Sequence, residues 1–395
     1  MPSIQNKGAF FFFCAHTFAM DDFHICLLNW NMRALAASVP SLLENFGNRK
    51  FIVCSSDVKK TEGLLSEIPD KLVFSPSQLD SRLGREEYSR ANSIGHCRNL
   101  MFLASACVSP SAPLVLLDDD IITSAQTRRA FQSAFSKYDL VQGLYEGASG
   151  NKIYALVYFF DLLSEGEGTP DFEERVKRAL CGFSEIKREG RQPLSSMPGG
   201  LAGISGALKG RNCFAPTSYP FDDHFFEFSS RFLFPSLRFM PPDAAAGDIP
   251  VAVHNMAEGS DPDALVSNFV REVRSSIVES YFYFRLSGCA PRLVGGRHTL
   301  ARVSGFDAGA AASEACRNAA LEKFRQVASF HIARASSPLL QAQLERIINL
   351  SVEDFLVPID ELGEEWGFLE EERAWFGLAA KQCKASGAQL LEGIA

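Results

Sequence analysis

"APLVLLDDDI" spans residues 112–121 and reads as a buried strand that delivers three consecutive carboxylates to its end. Side chains alternate across an extended chain, so Asp118 and Asp120 point the same way. Two carboxylates aimed at one point repel each other unless a hard cation sits between them. Magnesium or manganese, held by one or two carboxylates plus substrate phosphates, suits that geometry. The competing reading is a solvated acidic turn that caps the next helix, where Asp is common. Three acids directly after an apolar strand favour the first.

The sequence upstream of this strand alternates short apolar runs with amphipathic stretches. "FHICLLNW" (23–30), "KFIVCSS" (50–56) and "KLVFSPS" (71–77) read as strands, with a helix over "RALAASVPSLLENF" after the first. "ANSIGHCRNLMFLASAC" (91–107) carries apolar residues at helical spacing, and "YDLVQGLYE" (138–146) is a further strand. Strands alternating with helices predict a doubly wound, mostly parallel sheet covered on both faces. Ligands of such sheets bind beyond the carboxyl ends of the strands, which is where the triple Asp falls.

Downstream the pattern changes. "KIYALVYFFDLL" (152–163) is apolar and aromatic, and a charged, helical-looking stretch comes after it. Then come a glycine-rich segment "PGGLAGISG" (198–206), the acidic "YPFDDHFFEFSSRFLF" (219–234) and "PVAVHNM" (250–256). A helix is expected over 261–286, with Asp261 or Asp263 as its cap. Beyond about residue 310 the chain is rich in Ala, Glu and Leu and reads as a helical C-terminal appendage. The expected organisation is a domain over 1–300, with halves 20–150 and 151–300, and then a helical region over 301–395.

Composition bounds the function. The chain has 395 residues, 46% hydrophobic and 22% charged, which is ordinary globular composition. A net charge of -8 gives no electrostatic footprint for DNA or RNA. Small anionic ligands stay open, because a bound divalent cation supplies positive charge locally. The ten cysteines are scattered singly with no CxxC pair, so neither a zinc ribbon nor a disulfide scaffold is indicated. A reducing cytoplasm is the simplest setting. The opening "GAFFFFCAHTFAM" lacks a basic leader, and no apolar stretch reaches the length of a membrane span. No transmembrane segment is expected; peripheral membrane contact through Phe10 to Phe13 competes with their burial or local disorder.

The order of these segments resembles the GT-A fold of nucleotide-sugar glycosyltransferases, especially family-2-like members. "LLNWNMRALAASVPSLL" is similar to the family's first strand and helix, with Asn29 or Asn31 in the place of its asparagine. "VCSSDVKK" offers Ser55, Ser56 and Asp57 where the family's second strand faces the base, and "SIGHCRNLMFLA" offers Arg98 and Asn99 near the donor. The metal-binding DxD motif corresponds to Asp118, Asp119 and Asp120, and a downstream histidine corresponds to His254 in "VAVHNM". The resemblance covers residues 20–260 as an ordered series of weak matches, and their order carries the inference. The triple Asp is richer than a plain DxD, and 152–198 and the C-terminal region match nothing in the family's pattern.

The resemblance implies transfer of a sugar from a nucleoside diphosphate sugar, UDP preferred to GDP, to an acceptor hydroxyl on a glycan, lipid-linked or small-molecule acceptor. Asn29, Ser55, Asp57, Arg98, Asp118 and Asp119 would bind the donor, and Asp118, Asp120 and His254 would hold Mn2+ or Mg2+. The second acid of "FDD" corresponds to the family's catalytic base, which is Asp223 here. An acceptor hydroxyl needs a positioned carboxylate to take its proton, and attack opposite the leaving diphosphate inverts configuration. Other readings stand beside these. Asp222 and Asp223 suit a helix start, whose dipole favours acids. His254 reads equally as a core or loop histidine, and Arg98 as a salt-bridge residue. The glycines at 199, 200, 203 and 206 fit a mobile loop closing over the acceptor or a plain turn.

Three rivals remain. A phosphatase of the haloacid dehalogenase superfamily also places DxD after a strand, but near its domain start. A nucleotidyltransferase of related fold would use the same acids, yet "LLNWNMRA" is not its glycine- and Arg/Lys-rich loop. The third is a catalytically inactive glycosyltransferase-like module whose helical tail binds a partner.

Overall fold

The computed structural model describes residues 23–147, 199–241, 244–254, 265–294, 297–318 and 338–394. The expectations for Phe10 to Phe13, for 152–198 and for caps at Asp261 or Asp263 lie outside these residues.

The central sheet has six strands in the order β3-β2-β1-β4-β8-β6. They are β1 (His24–Asn29), β2 (Phe51–Ser55), β3 (Lys71–Phe74), β4 (Leu114–Asp118), β6 (Leu140–Gln142) and β8 (Leu201–Ile204). The first four in that order run parallel, and β8 lies antiparallel to both β4 and β6. This is a mixed, largely parallel sheet flanked by helices, a doubly wound topology at a coarse level. A second sheet, in the order β5-β9-β7, joins β5 (Ile121–Ile122), β9 (Val251–His254) and β7 (Leu144–Gly147).

Alternation along the strands sorts the core into two layers. Ile25, Leu27, Phe51, Val53, Val115 and Leu117 pack with α1 (Met32–Phe46) and α5 (Ala125–Phe135) on one face. Cys26, Leu28, Ile52, Cys54, Leu114 and Leu116 face α4 (Ile94–Val108) on the other. Near-continuous apolar strands are what two-sided burial requires. The helix starts are capped as the sequence suggests. Asn31 accepts from the N–H groups of Arg33 and Ala34 ahead of α1, and Ser93 accepts from His96 N–H ahead of α4. Between β2 and β4, α2 (Val58–Leu64) and α3 (Pro76–Arg82) complete the connections.

Three expectations change on the structure, and one element is added. The run 71–77 is strand only to Phe74, because Ser75 and Gln78 form a capping box and Pro76 opens α3. The single strand over 138–146 divides at Gly143 into β6 and β7, which belong to different sheets. The glycine-rich segment is not a loop from residue 201 on, but strand β8 and then the short α6 (Gly206–Lys209). The region 289–302 contributes an antiparallel hairpin, β10 (Cys289–Val294) with β11 (Arg297–Arg302).

The remaining helices are α7 (Asp222–Leu233), α8 (Leu265–Ser287), α9 (Ala308–Asn318), α10 (Pro338–Ile348) and α11 (Ile359–Leu391). The C-terminal helices form as expected, and α11 lies directly on α4. Every residue of α4 from Gly95 to Cys107 is buried, so this helix is enclosed between the sheet and α11. Close approach depends on Gly387, where a Cβ would collide with the backbone of Cys107. The contact also holds a buried ionic cluster. His96 Nδ1 lies 2.8 Å from Glu372 Oε1 and its Nε2 3.0 Å from Asp80, while Arg85 Nη1 donates to Glu372 Oε2 at 2.5 Å and Asn99 Nδ2 to Oε1 at 2.7 Å. Removing one partner from such a cluster costs about 3–5 kcal/mol, because the remaining charge is left buried and unpaired.

Candidate functional site

The carboxyl ends of β1, β2 and β4 form one edge of the central sheet, and the predicted residues cluster along it. The run 112–121 is not one strand: β4 ends at Asp118, and Asp119 and Asp120 form the turn into β5, so each acid of the triple Asp meets different partners. Asp118 continues the face of Leu114 and Leu116, towards α4, where its Oδ1 sits 3.5 Å from Arg98 Nη2. Asp119 turns to the α1 face. Its Oδ2 accepts from the backbone N–H groups of Trp30 at 2.7 Å and Asn31 at 2.6 Å, and its carbonyl accepts from Ser38 Oγ at 2.8 Å. Asp119 therefore ties the β4 turn to the start of α1. Burial pushes its carboxyl up to about 6, against the two backbone N–H groups that favour the ionised form.

Asp120 leads into the second sheet. Its Oδ2 lies 3.1 Å from His254 Nε2, because Ile121 pairs with His254 across β5 and β9. The other oxygen, Oδ1, is buried and has no hydrogen-bond partner among the described residues. His254 in turn stacks on Tyr145, centroids 4.8 Å apart and planes 20° from parallel.

Arg98 is the hinge of the opposite wall. It is buried in α4, and its Nη1 donates to Asp222 Oδ2 at 2.7 Å. Burial alone would lower its pKa, but Asp222 and Asp118 raise it further, so the guanidinium stays charged. Asp222 opens α7 and is buried; burial pushes its carboxyl up to about 6 against the pull of Arg98. Asp223 beside it is only partly buried. Its Oδ2 accepts from Gly199 N–H at 2.8 Å and its Oδ1 from His224 N–H at 2.9 Å. Both acids lie in the first turn of α7, where the free N–H groups favour negative charge.

Two glycines make this packing possible. A Cβ at Gly199 would collide with the Arg98 guanidinium, and one at Gly200 would collide with Asp118 Oδ2 and approach the Tyr145 hydroxyl to 2.8 Å. Asp118 keeps 34% of its side chain exposed. Its carboxyl is nonetheless raised chiefly by desolvation, with Arg98 opposing and Asp120 adding repulsion. Asp118 is thus partly open to solvent although protein surrounds it closely.

The structure thus brings together Asp118, Asp120, His254, Arg98 and Asp223. The other expected donor residues sit differently. Asn29 is fully buried at the end of β1, where its Nδ2 donates to Thr61 Oγ1 at 2.7 Å and Ser55 Oγ at 3.3 Å. Ser55 is equally buried, within 2.8 Å of Thr61 Oγ1. These side chains bind the ends of β1 and β2 to α2. Asp57 caps α2 by accepting from Lys60 N–H and remains partly exposed, its carboxyl lowered chiefly by the Lys60 side chain. Sequence reasoning did not single out Tyr145. Gly143 in mid-strand was its available signal, since a strand glycine often marks a bend that re-aims the residues beyond it.

Among the described residues, no three His, Cys, Asp or Glu side chains are grouped so as to hold a metal ion by themselves. No described helix is long and apolar enough to cross a membrane. The class this architecture defines is a generic α/β domain, consistent at a coarse level with the Rossmannoid and GT-A-like superfamily fold. A scan against protein-family models finds no match, and no curated protein matches the chain.

Proposed function

We propose that this chain is a metal-dependent glycosyltransferase that moves a sugar from a nucleoside diphosphate sugar to an acceptor hydroxyl. The observation that carries the reading is that Asp120 meets His254 beside Asp118, whose carboxyl feels the charges of Asp120, His254 and Asp223. The buried Asp120 Oδ1 without a protein partner supports a cation there, since a buried carboxylate oxygen is costly unless something positive meets it. Asp120 and His254 would hold the ion, with Asp118 beside them. Two or three protein ligands leave the remaining positions to water and substrate phosphates, the usual mode for magnesium and manganese. When bound, the ion supplies Lewis-acid neutralisation of charge on the departing diphosphate.

The chain's own residues supply the rest. Arg98 holds Asp118 and Asp222 in place and offsets their charge. Of the two acids at the start of α7, Asp222 is buried and committed to Arg98, which leaves Asp223 as the one open to an acceptor. Its two backbone hydrogen bonds fix the carboxylate while leaving lone pairs for an acceptor hydroxyl proton. An incoming hydroxyl deprotonated there attacks the anomeric carbon from the face opposite the diphosphate. Asp119, Asn29 and Ser55 serve by fixing the strand ends that carry these groups.

The test is calorimetry of UDP, GDP and their sugars with and without manganese, and then a donor-hydrolysis screen. Manganese-dependent binding of one nucleotide is expected. Absence of metal-dependent binding for every nucleoside diphosphate would sink the proposal and favour a non-catalytic binding module.

A further inference from the structure

We propose that Tyr145 is a further residue of the donor site: its ring fixes the His254 imidazole against Asp120, and its hydroxyl donates a hydrogen bond to a donor phosphate oxygen beside Asp118. This rests on the donor-site reading above.

The backbone shows how the tyrosine arrives there. At Gly143 the chain leaves the central sheet, its N–H donating to Leu201 carbonyl at 2.9 Å. One residue later Leu144 N–H donates to Pro250 carbonyl at 2.8 Å, and the strand has joined β9. A Cβ at Gly143 would collide with Leu201, so the switch depends on that glycine. Tyr145 then pairs with Ala252, and its ring lies diagonal to His254, two residues further along β9. The small Ala252 leaves room for the ring to lie flat on the imidazole.

The hydroxyl is placed as specifically as the ring. It and Asp118 Oδ2 crowd the same point above Gly200, which a Cβ would fill. Among the described residues the hydroxyl has no hydrogen-bond partner. Asp118 lies beside it at Gly200, and the charges of Asp120, Asp223 and Arg98 reach it. Carboxylates only accept hydrogen bonds, and Arg98 is engaged by two of them. An anionic phosphate beside Asp118 needs neutral donors as well as a cation, and the phenol supplies one.

Two variants of the full chain separate the roles. Tyr145→Phe keeps the stack and removes the hydroxyl; Tyr145→Leu removes both. In metal-free protein, the ring-current shift of the His254 imidazole protons should persist in the Phe variant and collapse in the Leu variant. Manganese affinity should show the same split, near wild type for Phe and weakened on the order of tenfold for Leu. UDP or GDP binding in the presence of manganese should weaken on the order of tenfold for Phe, the loss of one charge-assisted hydrogen bond. Unchanged His254 resonances in Tyr145→Leu, or undiminished nucleotide affinity in Tyr145→Phe, would overturn the assignment. If wild type itself binds no nucleotide with manganese, the donor-site reading fails and the hydroxyl's role with it, while the imidazole shift still decides whether Tyr145 orients His254.

Discussion

His254 Nε2 lies 3.1 Å from Asp120 Oδ2, and this contact joins the last residue of β9 to the turn that leaves β4. It sets the smaller sheet against the edge of the larger one, beside the end of β4. The other Asp120 oxygen is buried without a partner among the described residues. A buried carboxylate oxygen left without a partner costs stability.

Asp120→Asn tests that cost directly. Removing a buried, half-satisfied charge should leave the metal-free melting temperature unchanged or raised, because Asn is neutral and shape-matched. Manganese should raise the wild-type melting temperature, by about 2.7 kcal/mol of linkage at a hundredfold excess over Kd, and should leave the variant unmoved. Calorimetric scans with and without manganese decide it. An equal metal-induced shift in both proteins removes Asp120 from the site.

Asp223→Asn addresses the proton. The amide keeps one acceptor for Gly199 or His224 N–H, so the start of α7 should survive with donor binding intact. Without a carboxylate to take the acceptor proton, turnover should fall by about 10²–10⁴. Steady-state transfer rates measured beside donor affinity make the comparison. A variant that transfers at near wild-type rate would dismiss the inverting assignment.

Much of this was legible in the sequence alone, for a physical reason. The strands His24–Asn29, Phe51–Ser55, Lys71–Phe74 and Leu114–Asp118 are almost wholly buried on both faces, so their apolar runs announce themselves. Alternation alone did not place Asp120, because the chain leaves β4 at Asp118 and turns through Asp119 and Asp120 before β5. What sequence could not show depends on partners far away along the chain. Asp119 has the same composition as its neighbours, and only the position of Trp30 and Asn31 N–H makes it a tie to α1. Arg98 reads as a donor contact or a salt-bridge residue, and its partner Asp222 lies 124 residues away along the chain. Glu372 reads as one more acid on a solvated helix, although it is buried against His96 and Asn99. The division of 138–146 between two sheets was hidden because both halves alternate as one strand would.

Gly200→Ala is the most direct test of how tightly Asp118 and Tyr145 are packed. The added methyl collides with Asp118 Oδ2 and the Tyr145 hydroxyl, both of them side-chain tips that can shift. The fold should therefore lose only about 1–3 kcal/mol, the ordinary cost of overpacking. Manganese-dependent nucleotide binding should fall much further, since a displacement near 1 Å is enough to disrupt such a site. Urea unfolding and calorimetry on the same preparation separate the two effects. Near wild-type nucleotide affinity in this variant would mean that Asp118 does not face the ligand.

The cluster beneath α11 makes a prediction about pH. Burial would lower the His96 pKa, but hydrogen bonds and charge from Asp80 and Glu372 overcome it and hold the ring at about 9. A folded value above the unfolded one of about 6.5 means the folded protein holds the proton more tightly. The resulting stabilisation is complete below pH 6.5 and is lost as pH climbs towards 9. Lys209 works in the opposite sense, because burial lowers its pKa to about 8 and neutral lysine is favoured in the folded chain above that. The measurement is therefore the difference in urea midpoint between wild type and His96→Gln at each pH from 6 to 9.5. That difference should be largest at pH 6 and shrink steadily to pH 9. Glu372→Gln, which removes a charge from both His96 and Arg85, should cost about 3–5 kcal/mol and flatten the same profile. A pH-independent difference between wild type and His96→Gln would show that the ring is neutral between its two carboxylates, and that the contact between α4 and α11 does not depend on its charge.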